Sequence, residues 1–323
     1  MKKLLLKTLI VCVVVLLMPF TITLLFTRSD LLDSTFDMDF TIYYEVNDTK
    51  QELSFNEYLL GVIAANIPAG YHMEALKAQA VISRTYALYN IALVSRENNR
   101  KNTFTTSELG LSYLGPEDLK QYWGTENYSN YFSRIENAVY ATRDEVLVYQ
   151  DKLILPVFFN TGSGYTRSAL EAWKVDIPYL VSVPSKKDVT SINYLKIEEY
   201  TVEDLTERLS RYYSDLKLSE ESFFDDVAAE ERDSAGYVLT INLGNLTVSG
   251  EEFAKVLGLT SNHFYIENYE GNVRIICNGV GHGVGLSQYG ANAMAEDGSS
   301  YEDILEYYYT GISLTKISGV PEK

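Results

Sequence analysis

Met73 to Leu93 reads as one long helix in which only Glu74, Lys77 and Arg84 are charged. At about 100° per residue those three charges fall on one stripe, while Gln79, Ser83, Tyr86 and Asn90 fall on the far side at i, i+4, i+7 and i+11. The helix is apolar between two polar lines. Ala75, Ala78, Ala80, Ala87 and Ala92 let neighbouring elements pack closely against it. The neutral line has two readings, a row of buried polar groups satisfied by backbone or one wall of a ligand cleft, and the pattern alone favours the first.

Local signals place the other elements. Residues 39 to 46 and 52 to 55 read as short strands. Ser54 and Glu57 form a capping box for a helix through EYLLGVIAA, and Pro68 and Gly70 interrupt that helix. EVLVYQDKLILPVFF alternates and turns at Gln150-Asp151 like a β-hairpin, delivering the glycine-bearing loop 160 to 173. Residues 195 to 235 are charged, helical in period and peripheral by that criterion. Residues 237 to 248 read as a second hairpin, and SGEEFAKVLGL from 249 as a short capped helix. The fold class is α+β: helices and antiparallel β-hairpins in one domain over 39–317, ahead of a tail at 318–323.

The most informative stretch is VRIICNGVGHGVGLSQYGANAMAEDG, residues 273 to 298. A strand ends at Cys277, and glycines follow at 279, 281, 283 and 285. Alternate glycines permit positive φ and leave the backbone open to close approach by a ligand or another chain. Ser287 and Gln288 then open a helix whose free N–H groups would face the same place. No GxGxxG register fits, so a dinucleotide fold is a poor reading. His282, between two of the glycines, reads as a core imidazole that ties the loop together.

Composition limits the function classes. Lys2, Lys3 and Lys7 (tail 1–7) precede an uncharged run from Thr8 to Phe26, whose 19 residues reach about 28 Å as a helix, close to the hydrocarbon thickness. The expectation is a single-pass anchor at 8–26, a linker at 27–38, the N-terminus in the cytoplasm and the domain outside the cell membrane. Beyond it lie 24 Lys+Arg (27 less the three lysines) against 44 Asp+Glu, a charge of −20 that argues against nucleic acid and anionic lipid headgroups. Cys277 alone lies outside the anchor, and the three histidines are scattered, so no metal site or cofactor is expected.

Three segments together, GVIAANIPAGYHMEALKAQAVISRTYAL, FFNTGSGYTRSALEAW with IPYLVSV behind it, and NGVGHGVGLSQYGANAMAEDGSSYEDILEYYYTG, resemble the stage II sporulation protein D (SpoIID) family, related to the amidase-enhancer LytB proteins. The resemblance runs in order from about residue 39 to 317. It implies a membrane-anchored lytic transglycosylase acting on peptidoglycan glycan strands during engulfment, with a SpoIIP-like amidase and a SpoIIM-like membrane protein as partners. In the family the motif before the long helix looks like V-A-S-E-M-P-A, with a catalytic Glu, and Asn66 stands on that position. A transglycosylase must protonate the leaving oxygen and then accept a proton; a tuned carboxyl group does both, and an amide neither.

Two further departures accompany it. The family's Asp-Gln-x-Tyr matches Gly110-Leu111-Ser112-Tyr113, and Arg167 stands where the loop after Asn160 carries Glu. The resemblance therefore implies a glycan-binding framework with a degenerate catalytic site. The candidate contacts are Gln79, Ser83, Tyr86, Tyr113, Thr161, Ser163, Tyr165, His282, Ser287, Gln288 and Tyr289, helped by tyrosine clusters at 122–132 and 307–309. The alternatives are an active transglycosylase using another carboxylate, Glu74 or Glu171, and a thiol hydrolase built on Cys277 and His282.

Overall fold

The computed structural model describes residues 40–46, 49–97 and 102–317. The expected anchor at 8–26 lies outside them; among the described residues no helix is long and apolar enough to cross a membrane. Strand β1 (Thr41–Val46) pairs antiparallel with β2 (Thr49–Leu53). The Ser54–Glu57 capping box then starts α1 (Phe55–Asn66), and Ile67 leaves it in extended conformation just before Pro68. Helix α2 (Met73–Glu97) follows, and β3 (Thr103–Thr105) returns beside β1 in parallel. Helix α3 (Pro116–Ala141) bends at Gly124, whose φ of 74° and ψ of 156° are non-helical.

The two polar lines of α2 have a structural cause: the helix lies between two cores. Leu76, Ala80, Ala87, Leu88 and Ile91 pack into the first with α1, α3 and the β1–β3 sheet. Ala75, Ala78, Val81 and Ile82 pack into the second. Arg84, buried, donates to the carbonyls of Val139 (3.2 Å), Thr142 (2.8 Å) and Glu145 (3.1 Å). It thus caps the carbonyl end of α3, where the helix dipole favours a cation. Burial lowers its pKa to about 10, which leaves it charged at neutral pH.

Strands β4 (Glu145–Tyr149) and β5 (Lys152–Leu153) form the expected hairpin, with Gln150 and Asp151 both left-handed (φ 51° and 60°), as its two-residue turn requires. Strand β6 (Phe158–Phe159) and α4 (Ala169–Trp173) complete this segment.

The third core lies between β6 and the glycine loop in sequence. It comprises β7 (Leu195–Tyr200), α5 (Val202–Tyr212), α6 (Phe223–Asp226), β8 (Val227–Arg232), β9 (Val238–Leu243), β10 (Leu246–Ser249), α7 (Gly250–Leu257), β11 (Phe264–Tyr269) and β12 (Asn272–Asn278). The β9–β10 hairpin and Ser249-capped α7 match expectation. The reading of 195–235 as helical and peripheral is corrected. Leu205, Leu209, Phe223 and Val227 are core residues, and 195–200 and 227–232 are strands. Acidic residues crowding the solvent faces conceal the buried positions.

Strand β13 (Leu286–Ser287), α8 (Gln288–Glu296), α9 (Tyr301–Tyr308) and β14 (Ser313–Lys316) then close the second core. Strand β14 pairs antiparallel with β4 and β13 parallel with β6. The α+β class holds, with the β1–β3 and β6–β13 contacts parallel where hairpins alone were expected.

Candidate functional site

Asn66 is half-buried at the last turn of α1. Its Nδ2 donates to Val62 O (2.7 Å) and to Ser112 O (2.9 Å), so both amide protons are committed to backbone. The second bond joins Asn66 to the segment Gly110–Tyr113, which the family resemblance leads one to expect at the same site. Tyr113 fixes that segment by lying 6.0 Å from Tyr58 in a stacked pair and against Gly61, where a Cβ would come within 2.3 Å of its ring. Gly110 is left-handed (φ 79°) beside Tyr86: a Cβ there would sit 3.3 Å from the Tyr86 hydroxyl and 3.3 Å from Asn90 Nδ2.

The backbone of Asn66 is held from the opposite side. Gln288 Nε2 donates to Asn66 O (2.7 Å) and to Gln79 Oε1 (3.0 Å), and Gln79 Nε2 in turn reaches Ser83 Oγ (3.2 Å). Gln79, Ser83 and Gln288 are buried. They form a hydrogen-bonded polar network joining α1, α2 and α8, which ties up the side-chain groups expected to contact glycan. The turn after Asn66 is pinned too. Arg134 on α3 donates to Ala69 O (2.9 Å) and Tyr71 O (2.5 Å), and His72 N donates to Asn292 Oδ1 (2.6 Å) on α8.

The glycine loop has a different purpose from the one expected. Glycines 279, 281, 283 and 285 all have positive φ, 77° to 107°. What approaches them is mainly the chain's own 157–162 segment: a Cβ at Gly285 would meet Val157 O at 2.0 Å, and one at Gly279 would meet Thr161 O at 2.7 Å. Thr161 and Val280 exchange backbone hydrogen bonds (3.1 and 2.8 Å). The start of α8 is capped internally. Ser287 Oγ accepts from Gly290 N (3.2 Å), and Tyr289 N donates to Asn160 O (3.0 Å). Thr161 and Ser287 are both fully buried at this joint.

His282 is half-buried, its ring packed between the loop and its neighbours. Its Nδ1 accepts from Val284 N (3.1 Å), the ring packs 5.8 Å from both Phe159 and Trp173, and it also bonds the Phe158 backbone. Burial, with a smaller contribution from nearby Arg167, lowers its pKa to about 4, so it is neutral. Ser163 turns to Ala235 O (3.3 Å) in the third core. Tyr165 is exposed, and Tyr289 is half-buried with its hydroxyl 3.2 Å from Thr190 Oγ1.

Arg167 is not placed at Asn66. Fully buried, it bonds Asp233 Oδ2 (2.5 Å), Glu251 Oε1 (3.3 Å) and His282 O (3.1 Å). Glu171 accepts from Ser234 N (3.1 Å) and Ser234 Oγ (2.7 Å), bonds that lower its pKa and suit it poorly to proton donation. Glu74 is shared between Lys77 (2.7 Å) and Tyr301 N (3.0 Å). Cys277 is buried among Thr260 and Ser261, its Sγ 3.3 Å from Ser261 O.

Sequence reasoning missed Asp188. This buried carboxylate accepts from Ser287 Oγ (2.7 Å) and Gly162 N (2.9 Å), joining the loop after β6 to the start of α8. Burial raises its pKa, against those bonds. It lies in a polar stretch, SKKDVTS, that has no periodicity to mark an inward-facing residue.

A family model described as SpoIID, Stage II sporulation protein, matches residues 43–149, the part containing Asn66 and Gly110–Tyr113. Stage II sporulation protein D of Bacillus amyloliquefaciens is 33% identical over 276 residues, covering 85% of this chain and 78% of that protein. The chain belongs to the stage II sporulation protein D family. The Bacillus subtilis (strain 168) protein of the same name is 32% identical over 277 residues, with the same coverage. The amidase enhancer of that organism is 27% identical over 304 residues, which span 80% of this chain but 40% of that longer protein.

Proposed function

We propose that this SpoIID-family chain is a membrane-anchored protein of wall remodelling during sporulation that binds peptidoglycan glycan strands without cleaving them. The carrying observation is Asn66. An amide stands where the resemblance calls for the acid, and its two protons are spent on Val62 O and Ser112 O. A carboxyl group at that place would face two carbonyl oxygens, which disfavour its ionised form, and would have one proton to share between them where the amide has two. The Asn66 Oδ1 remains an acceptor suited to a sugar hydroxyl, and half-buried Tyr86 and Tyr289 offer aromatic faces. A SpoIIP-like amidase and a SpoIIM-like membrane protein are the proposed partners, and residues 8–26 the proposed anchor.

The test is to incubate the purified chain with peptidoglycan and analyse the muropeptides. Bound strands with no 1,6-anhydromuramyl products are expected, and such products would overturn the silent reading. Because protein and wall are both acidic, binding should rest on uncharged contacts and change little with ionic strength. A steep loss between low and moderate salt would count against the glycan-binding reading.

A further inference from the structure

The sheet of the third core runs β11–β12–β7, so β7 is an edge strand, and among the described residues no other strand pairs with its free side. Edge strands of soluble proteins are usually blunted by charged side chains, proline, a bulge or a cover. Strand β7, LKIEEY, carries Lys196, Glu198 and Glu199 but has neither proline nor bulge, and its register with β12 is unbroken over six pairs from Leu195↔Asn278 to Tyr200↔Val273. Its outer face continues an apolar row. Ile197 lies opposite Ile276, which lies opposite Tyr265. Ile197 is 49% exposed and Tyr265 44% exposed, with Leu195 and Ile192 exposed beside them. Charges beside the row are paired within the chain: Arg274 holds Glu199 Oε1 through Nε (2.9 Å) and a terminal nitrogen (2.8 Å), and Lys196 Nζ lies 2.7 Å from Glu198 Oε1, a pair that a second copy's strand can exchange for the same pair in trans.

We infer that β7 is a self-association edge, pairing antiparallel with β7 of a second copy about a two-fold axis at Ile197. The strand's own sequence selects both partner and register. A two-fold axis normal to the sheet keeps each side chain on its face, so a residue must oppose one an even number of positions away. Centring on Lys196, Glu198 or Glu199 sets like charges directly opposite, which is unfavourable. Centring on Ile197 sets Ile197 against its copy, Lys196 against the partner's Glu198, and Glu198 against the partner's Lys196. The row Tyr265–Ile276–Ile197 then runs unbroken across a six-stranded sheet. One strand pair is a small contact, so the dimer is weak and concentration-dependent.

The experiment uses the full-length chain in detergent micelles with Cys12→Ser as background, since Cys277 is buried. Opposed residues of an antiparallel pair have Cα atoms about 4.5–5.5 Å apart, within disulfide range. Ile197→Cys should therefore give a covalent dimer under mild oxidation. Ile192→Cys, at 95% exposed the better target for random collision but far from its own copy in this register, should not. Lys196→Glu alone should weaken dimerisation at least tenfold in sedimentation velocity, and Lys196→Glu with Glu198→Lys should restore it. Equal cross-linking at 192 and 197, no recovery in the double exchange, or a monomer at every concentration would overturn the inference. So would proximity labelling that places residues 30–39 of the same chain along β7.

Discussion

At the scale of single residues, Asn66 and His282 carry the sharpest expectations. Asn66→Glu restores a carboxylate in name only: Val62 O and Ser112 O, 2.7 and 2.9 Å from Nδ2, lose their donor, and an ionised Glu would be repelled by both. Losing those bonds should cost about 1–3 kcal/mol, read as a lower denaturation midpoint, and muropeptide analysis should still find no anhydromuramyl products. Turnover by Asn66→Glu alone would show that the surroundings of a working acid survive. Burial lowers the His282 pKa from 6.5 to about 4. Between those values the unfolded chain holds the extra proton, so the ring's contribution is complete above about pH 6.5 and is lost as pH falls towards 4. At about 1.4 kcal/mol per unit this is on the order of 3 kcal/mol. His282→Gln should be less stable at pH 7 and show a flatter stability profile across that range. A variant of unchanged stability that loses glycan binding would instead make the ring a ligand contact.

At the scale of elements, the glycine loop is an internal joint, and two substitutions separate its causes. Gly298→Ala meets only backbone strain, because φ is 100° and nothing lies within 4 Å of the added Cβ. It should cost about 1–2 kcal/mol. Gly285→Ala carries similar strain at φ 81° and also drives its Cβ to 2.0 Å from Val157 O. Backbone cannot step aside as a side chain can, so about 1–3 kcal/mol more is expected, measured by chemical denaturation. Such elements were legible where their cause is local. The Ser54–Glu57 box, the Gln150-Asp151 turn and the Ser249 cap all depend on residues within four positions. Strand β7 was not legible, because Lys196, Glu198 and Tyr200 on one face and Leu195, Ile197 and Glu199 on the other give neither face an apolar period. The site divides the same way. The sequence marks Asn66, but its bond to Ser112 O, 46 residues on, and the convergence of Ser287 and Gly162 on Asp188 come from tertiary packing alone.

At the scale of the whole molecule, three cores are joined by a few buried polar contacts, of which Arg167 makes the most consequential. Its guanidinium bonds Asp233 of the third core, reaches Glu251, holds His282 O in the glycine loop and lies 4.7 Å from the Tyr237 ring. The Arg167 and Asp233 side chains are 1% and 0% exposed, so salt screens the pair little. Coulomb attraction does not make such a pair a large net stabiliser, because both charges gave up hydration to reach it. Its removal is still expensive, since Arg167→Met strands the Asp233 carboxylate, whose Oδ1 keeps only the N–H groups of Ala235 (3.1 Å) and Tyr237 (2.9 Å). The expected loss is about 3–5 kcal/mol. That loss falls at the junction between cores, so calorimetry of the variant should show two unfolding transitions, the third core melting apart from the rest, where the parent is expected to show one. Asp233→Asn in the same chain removes the stranded charge and should recover part of the loss. If Arg167→Met melts in one transition within 1 kcal/mol of the parent, the cores are coupled through the 157–162 and 279–285 backbone contacts and not through this ion pair.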